Sequence, residues 1–343
     1  MGGNAFNVST VDQSLIPSIF KQFKTFLASD LELDDLLILD DSVVGLGSTR
    51  LALNNIETKK KQSGDIDLLI KIKESALNKH NGMQGILKAI SSRFDKHGIA
   101  HRVFFGNIFS SAFKNIQVDL ILAPPSKNDD AYEYLRDLLY YSDETDPTRA
   151  IKGLHRTELV RYLLKNVGLQ MSTKGLATYK WVGLSENDAI DFLNKNKRKA
   201  KRRKKLYESV LNAIITKGFR SFKDELVNPK TGFVRNTNSI GDFYDQETLG
   251  MLTRSPMFEK VDLTDNWRAA IASFLGYEEV IDITNKFKTF ESTLDFIKEL
   301  EILEILDRKA VNSIMENYVV RLKERDHFNT SAKEKILSRG FQI

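Results

Sequence analysis

The segment Ser63-Gly64-Asp65-Ile66-Asp67-Leu68-Leu69-Ile70 places two aspartates two residues apart at the head of an otherwise apolar run. A short apolar run of this kind predicts a buried strand. On a strand, residues i and i+2 point to the same face, so Asp65 and Asp67 project together. Burying two carboxylates side by side costs free energy through desolvation and mutual repulsion. A divalent cation removes that cost. Without one, the same pattern marks the solvent face of an edge strand.

Two further segments belong with the first. Gln117-Val118-Asp119-Leu120-Ile121-Leu122 sets one more carboxylate inside an apolar strand. If that strand lies beside the first, Asp65, Asp67 and Asp119 converge, and such a trio can hold two metal ions for phosphoryl chemistry. Val44-Gly45-Leu46-Gly47-Ser48-Thr49-Arg50 reads as a short strand ending in a turn. Glycine at Gly47 lets the backbone approach a phosphate closely, and a turn leading into a helix offers free N–H groups to an anion. The Ser48 hydroxyl adds a donor, and the planar fork of Arg50 suits a triphosphate. The chain has no cysteine and only five histidines, scattered. Disulfides and thiolate metal sites are excluded, and a carboxylate site suits Mg²⁺ or Mn²⁺.

The hydrophobic pattern predicts helices over 11–29, 82–97 and 129–141, and strands over 66–72, 101–105, 108–113 and 116–122. Thr10 followed by Gln13 looks like a capping box for the first helix. The polar break Ser142-Asp143-Glu144-Thr145-Asp146-Pro147 is the expected boundary between a domain over 1–150 and a second over 151–343. Beyond it the chain reads as mostly helical, with helices over 154–167, 185–194, 264–275, 291–306 and 308–325, and Ser185 as an N-cap.

These residues resemble the nucleotidyltransferase superfamily typified by DNA polymerase β. Its pattern is a strand ending in Gly-Ser, then hydrophobic-Asp-hydrophobic-Asp-hydrophobic, then a third Asp on a later strand. Gly47-Ser48, Asp65-Ile66-Asp67 and Asp119 match it one by one. The motif style is similar to family X polymerases, and Thr157-Glu158-Leu159-Val160-Arg161-Tyr162 with Gly168-Leu169-Gln170-Met171-Ser172 resembles the start of their thumb. The style also resembles phage-encoded members. The resemblance implies an α/β (α+β) nucleotidyltransferase palm with a mixed sheet, followed by a largely helical domain. It implies attack on the α-phosphate of an NTP or dNTP with loss of pyrophosphate. Asp65 and Asp67 would bridge two Mg²⁺ or Mn²⁺ ions, and Asp119 would deprotonate or orient the attacking hydroxyl. The chain departs from family X in two places. About 40 residues precede the Gly-Ser turn, where that family carries helix-hairpin-helix elements. Its aromatic Tyr-Phe-Thr-Gly-Ser turn is not found, and Ala150-Ile151-Lys152-Gly153-Leu154 stands near that place.

Charge is distributed unevenly. Residues 1–150 hold 17 Lys/Arg against 20 Asp/Glu, whereas the rest carry the basic excess of a chain whose net charge is +5. From Lys195 to Lys205, nine of eleven residues are basic, among them Lys197, Arg198, Lys201, Arg202, Arg203 and Lys204. The run is expected to lie along a helix continuing to about Thr216. Charges this dense repel one another, and a nucleic-acid backbone, RNA or DNA, relieves that repulsion. An exposed basic helix with no ligand is the plain alternative. No run is long and apolar enough for a membrane helix, and the first residues lack the shape of a secretory signal, so the expectation is a cytoplasmic protein without a membrane partner. Two other functions stay open: a nucleotidyltransferase acting on a protein or small molecule, and a non-catalytic nucleic-acid-binding protein on a degenerate palm.

Overall fold

A mixed sheet organises the first part of the chain. The computed structural model describes residues 5–343 except 57–60, 105, 141–152, 200–203, 236–257, 278–281 and 325–326, and except the side chains of 196–199, 204–207 and 209. The sheet strands are β1 (Leu37–Ile38), β2 (Val44–Gly45), β3 (Asp65–Ile72), β4 (His101–Phe104), β5 (Ile108–Phe113) and β6 (Ile116–Ala123). β1 and β2 pair antiparallel with one edge of β3, and β6 runs parallel along the other. β5 and then β4 follow, each antiparallel to its neighbour.

The helices of this part include α1 (Ile16–Thr25), α2 (Gly47–Leu53) and α3 (Met83–Lys96). The last lies in the crossover that a parallel β3–β6 pair requires. Alternation along the strands separates two cores. Ile66, Leu68, Ile70 and Ile72 join Val118, Leu120 and Leu122 against Phe23 of α1 and Ile86, Ile90 and Phe94 of α3. Leu69 and Ile121 face the opposite way, and by the same period-2 rule so do Asp65, Asp67, Gln117 and Asp119.

The second core extends far along the chain. It combines Leu69 and Ile121 with Tyr134 and Leu138, with Leu159 and Leu163 of α4 (Gly153–Asn166), and with Trp267, Phe290, Ile314 and Tyr318. Trp267 and Tyr318 are fully buried, and each large side chain of this kind contributes roughly 1.5–3 kcal/mol. One hydrophobic core thus includes residues from both sides of the polar break at 142–147, a break that itself lies outside the described residues. The carboxylate face of the sheet is the face on which these later residues pack.

Several elements differ from the sequence reading. Residues 11–12 are not helical: Val11 and Asp12 form a short ladder with Ser63 and Gln62. The Thr10 hydroxyl bonds Gln62, and Asp12 caps the turn that follows by accepting from the Ser14 N–H. Pro17 then starts α1, in the first turn where its missing donor costs nothing. A second sheet of β7 (Gln170–Ser172), β8 (Gly175–Trp181) and β9 (Phe258–Asp262) stands in the part expected to be mostly helical. The basic run does not lie along one helix. Its described backbone belongs to α5 (Glu186–Lys199) and α6 (Lys204–Lys217), which pack against each other around Ala189, Leu193, Val210 and Ile214. Ser185 does cap α5, accepting from the Asp188 N–H.

Later helices include α7 (Phe219–Leu226), α8 (Trp267–Phe274), α9 (Phe290–Ile302), α10 (Arg308–Glu324) and α11 (Thr330–Leu337). Among the described residues no helix is long and apolar enough to cross a membrane.

Candidate active site

The parallel β3–β6 pairing sets Asp67 directly beside Asp119, and Asp65 beside Gln117. Because side chains alternate, all four share one face. Asp65, Asp67 and Asp119 each offer a carboxylate oxygen within 4.8 Å of the other two. Asp65 and Asp119 are buried and Asp67 is half-buried. The sequence expectation that these three aspartates meet is therefore met by the strand order and register.

Their electrostatics follow from that geometry. Burial pushes the Asp67 carboxyl well above the ordinary carboxylate range, and the charges of Asp65 and Asp119 push it further. Burial also raises Asp119, while the Gln117 amide, donating to the carboxylate, pulls the other way. A crowded, partly desolvated group of hard oxygen donors fits a divalent cation such as Mg²⁺ or Mn²⁺, which neutralises the repulsion.

The Gly-Ser turn adjoins this centre. Gly47 opens α2 with φ +53°, and a Cβ there would lie 3.6 Å from Asp67 Oδ2. Only a residue tolerant of the left-handed region sits there without strain. The turn is tied to β3 at two points: the Leu46 N–H donates to the Asp67 carbonyl at 2.9 Å, and the Asp67 N–H donates to Thr49 Oγ1 at 3.0 Å. Gly45 brings strand and helix close, since a Cβ there would meet the Arg50 nitrogen at 2.9 Å. Ser48 Oγ lies 2.8 Å from Ser63 Oγ, and Ser63 donates to the Asp65 carbonyl at 3.0 Å. With the single Ser63 proton so used, Ser48 is the donor between them. Arg50 is half-buried within α2, one turn on from Gly47.

Four residues near the carboxylates carry no signal in the sequence. Thr49 and Ser63 anchor the turn as described. Gln117 donates to both oxygens of Asp119, at 3.1 Å each. The Tyr140 hydroxyl is buried with no hydrogen-bond partner among the described residues. Burial raises its pKa, and the charges of Asp67 and Asp119 raise it further, so an aromatic side chain stands near the carboxylates. Such positions depend on register and on chain segments distant in sequence, which local patterns do not reveal.

Other expected site residues are placed less fully. Lys197 and Arg198 are on the backbone of α5 and Lys204 on that of α6, while Lys201, Arg202 and Arg203 lie outside the described residues. Away from the carboxylates, His155 is buried with Nδ1 3.2 Å from the Tyr318 hydroxyl. Compared with protein-family models and with curated proteins, the chain matches none.

Proposed function

We propose that this protein is a metal-dependent nucleotidyltransferase of the DNA polymerase β-like kind, with the mixed sheet as its palm and the residues after 150 as a thumb-like and acceptor-binding region. It transfers a nucleoside monophosphate from an NTP or dNTP to a hydroxyl acceptor, the 3′ end of an RNA (tRNA included) or DNA, and releases pyrophosphate. The observation that carries this reading is the convergence of Asp65, Asp67 and Asp119 on one sheet face beside the Gly47-Ser48 turn.

Asp65, Asp67 and Asp119 would hold Mg²⁺ or Mn²⁺. Two such ions, when bound, neutralise phosphate charge and steady the attacking and leaving oxygens. The protein's own groups do the rest. The backbone at Gly47 approaches the phosphates without a side chain in the way. The Ser48 hydroxyl, on exchanging Ser63 for a phosphate oxygen, donates to it, and Arg50 adds charge from the same helix. The acceptor hydroxyl attacks the α-phosphorus, the bond to the bridging oxygen breaks, and pyrophosphate leaves with the electron pair. Asp119, raised by burial, is suited to take the hydroxyl proton at a carboxylate oxygen. The basic run from Lys195 to Lys205 supplies phosphate contacts for the acceptor.

The test is incubation with each labelled triphosphate, Mg²⁺ or Mn²⁺, and a panel of RNA, DNA and protein acceptors. Label on a nucleic-acid end with stoichiometric pyrophosphate is the expected result, lost in Asp67→Ala. Label only on protein would move the acceptor outside nucleic acids. No pyrophosphate release with any triphosphate and acceptor would overturn the reading.

A further inference from the structure

The N-terminal segment reaches both strands that carry the carboxylates. The Gln13 N–H donates to the Lys61 carbonyl at 2.9 Å, and Val11 and Asp12 pair with Ser63 and Gln62. These contacts hold the residues just ahead of Asp65. On the other side, the Ser9 N–H donates to the Asn115 carbonyl at 3.0 Å, and the Asn115 side chain donates to Ser9 Oγ at 2.8 Å. The Ala5 N–H donates to Gln117 Oε1 at 2.7 Å. These contacts hold the residues just ahead of Asp119. Residues 5–13 therefore form a strap across the entry to β3 and β6.

Gln117 joins the strap to the site. It is 2% exposed, and its amide has two chemically different ends. A backbone N–H can only donate, so the Ala5 N–H fixes the oxygen end of the amide toward the strap. The amino end is left facing Asp119, where it donates to both carboxylate oxygens. If the amide turned over, two acceptors would meet at Asp119 and the Ala5 N–H would face a donor. A carboxylate has about four lone-pair sites, so the amide bonds still leave sites on Asp119 for a cation. Groups that hydrogen-bond a metal ligand fix its orientation and tune its affinity.

We propose that Gln117 is a positioning residue for Asp119, and that the strap at Ala5 sets the orientation in which it works. This rests on the reading of the three aspartates as a metal centre. The strap thereby couples the order of the N-terminal segment to the affinity of the centre for its ions.

The experiment uses the full chain and follows Mn²⁺ binding through the paramagnetic resonance signal of the free ion, with transfer kinetics alongside. Gln117→Leu removes the donor, and Ala5→Pro removes the backbone N–H while keeping Gln117. Gln117→Leu should weaken Mn²⁺ about 10–100-fold and lower kcat, with little change in the KM for triphosphate. Ala5→Pro should show part of the same loss. The double variant should bind no worse than Gln117→Leu alone, because the strap acts through that amide. A folded Gln117→Leu protein with wild-type Mn²⁺ affinity would overturn the proposal, as would losses that multiply in the double variant. Should Gln117→Leu fail to fold, unchanged Mn²⁺ affinity in Ala5→Pro overturns it alone. Wild-type protein that binds no Mn²⁺ would overturn the metal centre itself, and this proposal with it.

Discussion

The Thr49 hydroxyl accepts the backbone N–H of Asp67 at 3.0 Å, and Thr49 is fully buried. This bond fixes the helix that follows the Gly-Ser turn to the strand that carries two of the three carboxylates. Thr49→Val keeps the shape and removes the acceptor, leaving a buried N–H without its partner at a cost of about 1–3 kcal/mol. The denaturant midpoint should fall accordingly, and kcat should fall with it because Asp67 is no longer held against the turn. A Thr49→Val protein with wild-type stability would show that the bond contributes nothing.

The carboxylates should make stability depend on pH and, under the proposed function, on metal. Burial, followed by the charges of Asp65 and Asp119, raises Asp67, and burial raises Asp119. Both therefore hold protons more tightly in the folded chain than in the unfolded one. Stability from this source is fully present below the unfolded carboxylate pKa, near 4, and is lost as pH rises through the raised folded values. Metal-free protein should accordingly lose melting temperature on going from about pH 4 to neutral, and Mg²⁺ or Mn²⁺ should restore it. Asp67→Asn should melt higher than wild type at neutral pH without metal, and gain far less on adding it. Thermal melts at several pH values, with chelator and with Mn²⁺, decide this. A wild-type melting temperature indifferent to both pH and metal would contradict the coupling.

The pattern that reveals the carboxylates in sequence is the same physics that places them. Period-2 alternation puts Asp65 and Asp67 on one face, and the apolar surroundings of Asp119 mark a buried strand. The parallel register then aligns Asp67 with Asp119. Gln117 and Tyr140 were not legible, because their roles come from register and from chain segments that meet only in three dimensions. The second sheet departs from the mostly helical expectation in two ways: Gln170–Ser172 and Gly175–Trp181 form a local hairpin across Thr173-Lys174, whereas its third strand, which pairs Ala177 with Asp262, is distant in sequence and has no local signal. At the N-terminus, the apolar stripe of α1 does not reach Val11, which is buried in the first core from a strand position paired with Ser63.

Gly47 and Ser48 should differ in how they fail. Gly47 has φ +53°, a conformation that costs an L side chain roughly 1–2 kcal/mol, and a side chain there would also stand beside Asp67. Gly47→Val should therefore raise the KM for triphosphate strongly and lower metal affinity. Ser48→Ala removes one hydroxyl, which bonds Ser63 in the resting site. It should cost about 1.5–3 kcal/mol of triphosphate binding, with the metal affinity kept. Normal triphosphate binding by Gly47→Val would remove the turn from the phosphate site.

Tyr140 offers a test of the surroundings of the carboxylates, since the charges of Asp67 and Asp119 reach its hydroxyl. Its hydroxyl is buried without a partner among the described residues, so Tyr140→Phe breaks no bond to any of them and should leave the melting temperature unchanged or slightly higher. Under the proposed function the hydroxyl is available to a substrate oxygen. The same variant should then lose about tenfold in kcat/KM, the worth of roughly one hydrogen bond. Unchanged kinetics would mean that substrate does not reach the hydroxyl.

The basic run separates acceptor binding from chemistry. Nine positive charges in eleven residues follow α5 into α6, and two helices packed against each other present their backbone in a fixed relation. Phosphate contacts hold a strand without reading its sequence, and each phosphate neutralised adds roughly 0.7–0.9 to the slope of log affinity against log salt. Changing Lys201, Arg202, Arg203 and Lys204 together to Gln should weaken acceptor binding across all sequences and flatten that slope. Triphosphate affinity should change little, because the turn at Gly47 is carried by another element. The measurement is acceptor affinity over a range of salt for wild type and the quadruple variant. Coincident lines would show the run to be a solvated surface, and the acceptor would then be held elsewhere or belong to another class.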